Sequence, residues 1–156
     1  ADGAGVAALL ALGADAAQLG TRYLATQEAS VHQNYKDVVL AAGPEDTRLV
    51  GKLMSPIRML ENDFSRRFHQ AEQDGKSIEQ RKKIFASSSL KNAALDGDVL
   101  YGKTEAGQSV GLINDLPDAG SLTRRLAEEA ASTFRVLAEL GIALERGLTR
   151  HDQRGL

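Results

Sequence analysis

Gln18-Leu19-Gly20-Thr21-Arg22 is the stretch on which the reading of this chain turns. It follows a run of small apolar residues, Ala14 to Ala17, and the segment Ala14 to Leu19 is too short for a helix and reads as a buried strand with Asp15 at its start. A Gly-Thr turn at the carboxyl end of such a strand is where an α/β protein places phosphate-bearing ligands. Glycine lets the backbone approach closely, and threonine adds a hydroxyl to converging N–H groups. Taken alone, the same residues also read as an ordinary turn. A single strand cannot satisfy its own backbone, so Ala14–Leu19 needs neighbours on both edges that this sequence does not supply.

Upstream, Asp2 is placed to cap a helix that runs to Gly13, with Val6, Leu9 and Leu10 on one face. Downstream, Arg22 to Ala25 continues into a loop, Thr26 to His32, where periodicity is lost; it returns over Gln33 to Ala42, with Tyr35, Val38, Val39 and Ala42 inward. Thr47 to Leu53 alternates as a short strand would. Ser55-Pro56 predicts a helix start, and Ile57, Leu60, Phe64, Phe68 and Ala71 continue from it at steps of three and four until Gly75. Ser77 and Gln80 form a capping box for a helix to Ala86, and a short helix from Ser89 to Leu95 closes on Gly97. Gly102 to Gly111 is glycine-rich and aperiodic; either it meets a ligand with its backbone, Gln108 bonding a heterocycle edge, or it is a plain loop. Asp118 is placed to cap a long helix with Leu122, Leu126, Ala130, Phe134, Leu137 and Leu140 on one stripe. Gly141 is its expected end, and a frayed tail follows over residues 142–156.

The bulk properties exclude several classes. The 156 residues, 42% hydrophobic and 26% charged, suit one domain with a core. A net charge of -2 exerts no pull on nucleic acid or an anionic membrane, and no partner of either kind is expected. The absence of cysteine removes disulfides, thiolate metal sites and a cysteine nucleophile. No apolar run approaches ~20 residues, so no membrane-spanning helix is expected, and a cytoplasmic location is. His32, His69 and His151 share no metal-ligand spacing, so no metal site is assigned. His32 beside Tyr35 and Lys36 suits either proton transfer or a loop histidine bonded to backbone. Arg66-Arg67 and Arg81-Lys82-Lys83 alternate with acids and read as solvated helix faces.

The pieces in order resemble the nitronate monooxygenases, formerly 2-nitropropane dioxygenases. That superfamily also contains the flavin-type enoyl-acyl-carrier-protein reductases. The residues that carry the resemblance are Asp2-Gly3, Gly5-Val6-Ala7-Ala8, Leu12-Gly13-Ala14-Asp15 and Gln18-Leu19-Gly20-Thr21-Arg22-Tyr23-Leu24-Ala25-Thr26. Glu28, His32, Tyr35-Lys36, Ile57-Arg58, Asn62, Gly97-Asp98 and Ala106-Gly107-Gln108-Ser109-Val110-Gly111-Leu112-Ile113 continue it. The resemblance implies an α/β fold, the carboxyl-terminal fragment of an FMN-binding TIM barrel. Its last helix and strand, with the FMN-phosphate turn, would occupy residues 1–26. A helical lid would fill 27–113, a closing barrel helix 114–141 and a tail 142–156, so the chain alone is predominantly helical. Gln18, Leu19, Gly20 and Thr21 would contact FMN.

The family's active-site histidine lies earlier in its barrel and has no counterpart here, so no catalytic residue is assigned. The resemblance implies a parent flavoprotein oxidoreductase that oxidises alkyl nitronates with dioxygen to a carbonyl compound and nitrite. The alternatives are the enoyl reductase branch and a non-catalytic fragment or interaction module. The chain starts without methionine and reads as a fragment, a processed product or half of a split enzyme. Alone it is expected to be inactive, to bind FMN weakly or not at all, and to self-associate through apolar surface that the missing amino-terminal barrel portion would cover.

Overall fold

The computed structural model describes the backbone of residues 1–152 and the side chains as far as Glu145. Its elements are mostly helical. In chain order they are α1 (Gly3–Ala11), α2 (Thr21–Leu24), α3 (Gln33–Ala41), β1 (Thr47–Val50), β2 (Ile57–Leu60), α4 (Asp63–Gln73), α5 (Ile78–Ala86), α6 (Leu90–Ala94), a 3-10 turn (Gln108–Leu112) and α7 (Ala119–Asp152). They fall into two compact units: residue 1 with 19–119, and residues 2–18 with the chain from Gly120 onward.

In the first unit β1 and β2 form an antiparallel pair, in register from Thr47 against Leu60 to Val50 against Ile57. The loop segment 104–106 lies along the free edge of β2. Leu60 N donates to Thr104 O at 2.8 Å and Ala106 N to Arg58 O at 3.1 Å. Two cores flank this ribbon. One gathers Tyr35 and Val39 of α3 with Leu60, Ala93, Ala106, Val110 and Ile113. The other gathers Val50, Met59, Phe64 and Phe68. Phe85 of α5 closes the second, its ring 5.5 Å edge-on from Phe68.

The strand β2 corrects the helix expected from Ser55-Pro56 onward. Ile57 to Leu60 pairs with β1, and the helix begins only at Asp63. Its true cap is Asn62, whose Oδ1 accepts from Ser65 N at 2.9 Å while Ser65 Oγ accepts from Asn62 N at 2.9 Å. The steps of three and four were real only for Phe64, Phe68 and Ala71, which are all buried. Four apolar-rich residues ahead of a cap fit either period, and the backbone bonds offered by β1 and Thr104 decide for the strand.

The expected strand at Ala14–Leu19 is not formed: the segment has no regular secondary structure. Among the described residues nothing pairs with it, and an unpaired strand leaves its backbone groups to water. Directly after it, where a loop was expected, Thr21–Leu24 makes one helical turn with Gly20 at its cap position.

In the second unit Asp2 caps α1 as expected, accepting from Gly5 N at 2.8 Å, and Gly13 sits at a φ of 95° after its end. The buried face differs from the expected one. Gly3 and Ala7 are buried, whereas Leu9 is 46% exposed. Gly3 lies against α7 so closely that an added Cβ would fall 2.2 Å from Glu129 Cβ. Close helix approach selects the small-residue ridge of α1 over its bulky one. On α7 the stripe is buried at Leu122, Leu126 and Ala130 and exposed from Phe134 on. Gly141 does not end the helix: it has no positive φ, and the helix runs on to Asp152. The expected frayed tail is therefore helical over 142–152, and its last four residues lie outside the described ones.

Candidate functional site

The Gly-Thr turn, the ribbon and the glycine-rich loop meet at one cavity of about 460 Å³ in the first unit. Gly20, Thr21 and Leu24 line it from α2 and its cap, Tyr35 from α3, Arg58 from β2, and Glu105, Ala106 and Gly107 from the loop. One hydrogen bond joins its two glycine-bearing walls: Gly107 N donates to Thr21 Oγ1 at 3.0 Å. The Thr21 hydroxyl accepts there, so its own hydrogen remains to be donated. An added Cβ at Gly20 would meet nothing within 4 Å, and one at Gly107 nothing closer than 3.8 Å. Both glycines thus leave open space beside polar backbone.

Three buried polar side chains fix these walls. Arg22, 3% exposed, donates to Asp115 Oδ1 at 2.5 Å and to Asp115 O at 3.2 Å. Lys36 Nζ reaches back to Thr26 O at 2.7 Å and Gln27 O at 3.2 Å, so α3 holds the segment that follows the turn. Asn62, besides its cap, donates from Nδ2 to Val99 O and Gly102 O, each at 2.9 Å, and anchors the loop that carries Glu105 to Gly107. Sequence reading missed all three roles. Their partners lie 9 to 93 residues away, and although all three stood in motifs, none of those motifs indicated the partner.

Of the four residues predicted to meet a cofactor, Gly20 and Thr21 line the cavity. Leu19 is half-buried and does not line it, and Gln18, exposed, belongs to the second unit. His32 is not part of the site. Its Nδ1 accepts from Asn34 N at 3.1 Å and caps α3, which is the backbone-bonded reading of that histidine. Gln108, on the 3-10 turn, is exposed and outside the cavity lining. Among the described residues no group of acids and histidines is placed to hold a metal ion. None of the described helices is long and apolar enough to cross a membrane. The His151 side chain lies outside the described side chains.

Two titratable groups near Glu105 are perturbed. Tyr35 is fully buried and its hydroxyl donates to Glu105 O at 2.6 Å. Burial, and after it the Glu105 charge, hold its phenol well above the ordinary 10.0. The Lys103 ammonium sits 3.4 Å over the Phe85 ring centroid, and burial lowers its pKa against a smaller opposing effect of Glu105.

The two shifts have opposite consequences. From the lowered Lys103 value up to 10.5 the unfolded chain binds more protons, so stability from this group rises with pH. Above 10.0 the folded chain keeps the Tyr35 proton that the unfolded chain loses, so stability present below that pH is lost as pH climbs. Thermal melts across the alkaline range are expected to show a decline above pH 10 that Tyr35→Phe flattens. An unchanged slope in that variant contradicts the assignment.

A second cavity, about 510 Å³, lies in the other unit between α1 and α7. Asp2, Glu129, Ser132, Thr133 and Leu137 line it, and it gathers none of the motif glycines.

The family model described as nitronate monooxygenase matches residues 1–129. A nitronate monooxygenase of Paraburkholderia phytofirmans is 34% identical over 143 residues, which cover 88% of this chain and 38% of that protein. FabK from Thermotoga maritima overlays with a TM-score of 0.83 at 35% identity, covering 90% of this chain and 44% of that one. The nitroalkane oxidase from Streptomyces ansochromogenes overlays at 0.66 with 34% identity, over 87% of this chain and 38% of that one. The chain thus spans about two-fifths of each of these proteins. Its fold class is that of part of an α/β barrel, as expected from the sequence.

Proposed function

The chain belongs to the nitronate monooxygenase family, and from that premise we propose that its Gly20–Thr21 cavity holds the phosphate end of FMN in an oxidoreductase acting on alkyl nitronates with dioxygen. The single observation that carries this reading is the bond from Gly107 N to Thr21 Oγ1, which brings the Gly-Thr turn and the Ala-Gly-Gln loop to one opening. The residues fit a phosphate: two glycines with open space beside them, a hydroxyl with a hydrogen to give, and the Arg58 cation in the lining. Bound FMN would supply the electron transfer. This chain's own residues would hold the phosphate at Gly20 and Thr21, with Gln18 and Leu19 contacting the cofactor, and residues 27–113 would cover it. Helix α7 would close the barrel, and the barrel portion that the relatives carry beyond the matched share would complete the site. The isolated chain would then bind FMN weakly and show no turnover.

Fluorescence titration tests this with FMN against riboflavin, which lacks the phosphate. Charged hydrogen bonds of about 1.5–3 kcal/mol each predict a preference for FMN of about tenfold or more. Gly20→Val, which fills the open space, is expected to abolish that preference. Equal affinity for the two flavins, or a preference that survives Gly20→Val, contradicts the reading.

The enoyl-acyl-carrier-protein reductase branch is a second reading, favoured by the higher TM-score with FabK than with the nitroalkane oxidase. Nitrite release from an alkyl nitronate under air by a whole enzyme carrying this segment supports the first reading. NAD(P)H consumption with an enoyl thioester, without nitrite release, supports the second.

Self-association through exposed apolar side chains belongs to the same proposal. Leu9 is 46% exposed, Leu12 85% and Leu140 55%. Sedimentation velocity is expected to show mass rising with concentration, and a monomer at every concentration contradicts it.

A further inference from the structure

Arg58 is a half-buried cation in the lining of the Gly20–Thr21 cavity. Its backbone is fixed, since its carbonyl accepts from Ala106 N at 3.1 Å and its strand pairs Arg58 with Leu49. One corner of its guanidinium is fixed too: Nη1 donates to Thr47 Oγ1 at 3.0 Å, across to β1. Among the described residues that is its one side-chain hydrogen bond, and no carboxylate stands within ion-pair distance of it. Glu61 takes Arg48, and Glu105, the acid in the cavity lining, makes its electrostatic mark on Tyr35 and Lys103.

A guanidinium carries five donors in a planar fork that matches two oxygens of a phosphate. With Nη1 held by a hydroxyl, the fork is oriented before any ligand arrives, so little freedom is lost on binding. A half-buried cation with open donors and, among the described residues, no ion-pair partner also gains from an anion that enters the cavity.

We propose that Arg58 binds a phosphate dianion entering this cavity, as the second anchor beside Gly20 and Thr21. The inference rests on the phosphate reading of the cavity given above. Thr47 acts as a positioning residue through Arg58. The phosphate comes either from FMN or from a phosphorylated substrate or carrier beside it, and the fork recognises both by the same geometry.

The test uses the 156-residue chain with FMN, riboflavin and inorganic phosphate as probes, on wild type, Arg58→Gln, Arg58→Lys and Gly20→Val. Circular dichroism melts first establish that each variant is folded. If the flavin supplies the phosphate, Arg58→Gln weakens FMN about tenfold or more and leaves riboflavin unchanged. Arg58→Lys, which keeps the charge and loses the fork, recovers part of the loss. If a substrate supplies it, Arg58→Gln leaves FMN unchanged and weakens inorganic phosphate measured with FMN present. Both results support the proposal. Affinities for FMN and phosphate that are both unmoved by Arg58→Gln overturn it. Gly20→Val separates that failure from failure of the cavity reading. If Gly20→Val abolishes the preference for FMN while Arg58→Gln does nothing, Arg58 alone is misassigned. If neither has an effect, the cavity itself is.

Discussion

Replacing Asn62 by alanine is expected to lower the free energy of unfolding by about 3–7 kcal/mol, combining a lost helix cap of about 1 kcal/mol with about 1–3 kcal/mol for each of two orphaned carbonyls. The size follows from how much one side chain does. Asn62 is 6% exposed, its Oδ1 caps α4, and its Nδ2 satisfies both Val99 O and Gly102 O. Water reaches those carbonyls poorly, so their loss is not made good. Asn62→Asp keeps the cap and removes the donor, and is expected to fall between wild type and alanine. Urea denaturation measures both. A loss below about 1 kcal/mol for alanine would mean that the loop over residues 99–105 is held by other contacts. The same variant links stability to the site, because that loop leads into Glu105, Ala106 and Gly107 of the cavity wall.

Phe68→Ala is expected to cost about 3–5 kcal/mol, the range for emptying a fully buried aromatic site. Phe68 is 0% exposed and touches both Phe64 and Phe85 with ring centroids 6.2 and 5.5 Å away. Phe68→Leu retains most of the volume and is expected to cost less than about 1.5 kcal/mol. Phe134→Ala is the control. It removes the same ring from an exposed position on α7, and is expected to stay within about 0.5 kcal/mol of wild type. Equal losses at Phe68 and Phe134 would contradict the assignment of the second core.

How far the fold could be read from residues depended on the range of the interaction concerned. Asp2, Ser77 and Gln80 act within one helical turn and cap as read, and Gly13, Gly75 and Gly97 adopt the positive φ expected of terminators. Ile57–Leu60 was misread because its strand partners, Thr47 to Val50 and Thr104 to Ala106, are remote, while the apolar steps continuing into Phe64 are local. Ala14–Leu19 shows the converse. Its composition suits a strand, but pairing needs another segment, and the described residues provide none.

The candidate site divides in the same way. Gly20 and Thr21 could be singled out as candidates because glycine and a hydroxyl after an apolar run have a local meaning, and both line the cavity. Their convergence with Gly107, 86 residues later, was not, because a single backbone-to-hydroxyl bond leaves no periodic trace. Arg58 was visible as a motif letter only. The role proposed for it rests on its place in the cavity lining and on the absence, among the described residues, of an ion-pair partner, both of which only the folded chain reveals.

The measurement that tests the phosphate assignment most directly is a proton–nitrogen correlation spectrum of the chain titrated with FMN and, separately, with riboflavin. Saturable shifts are expected at the amides of Gly20, Thr21 and Gly107 with FMN, and none at those three with riboflavin. Shifts elsewhere with these amides unmoved, or identical shifts with both flavins, would contradict it.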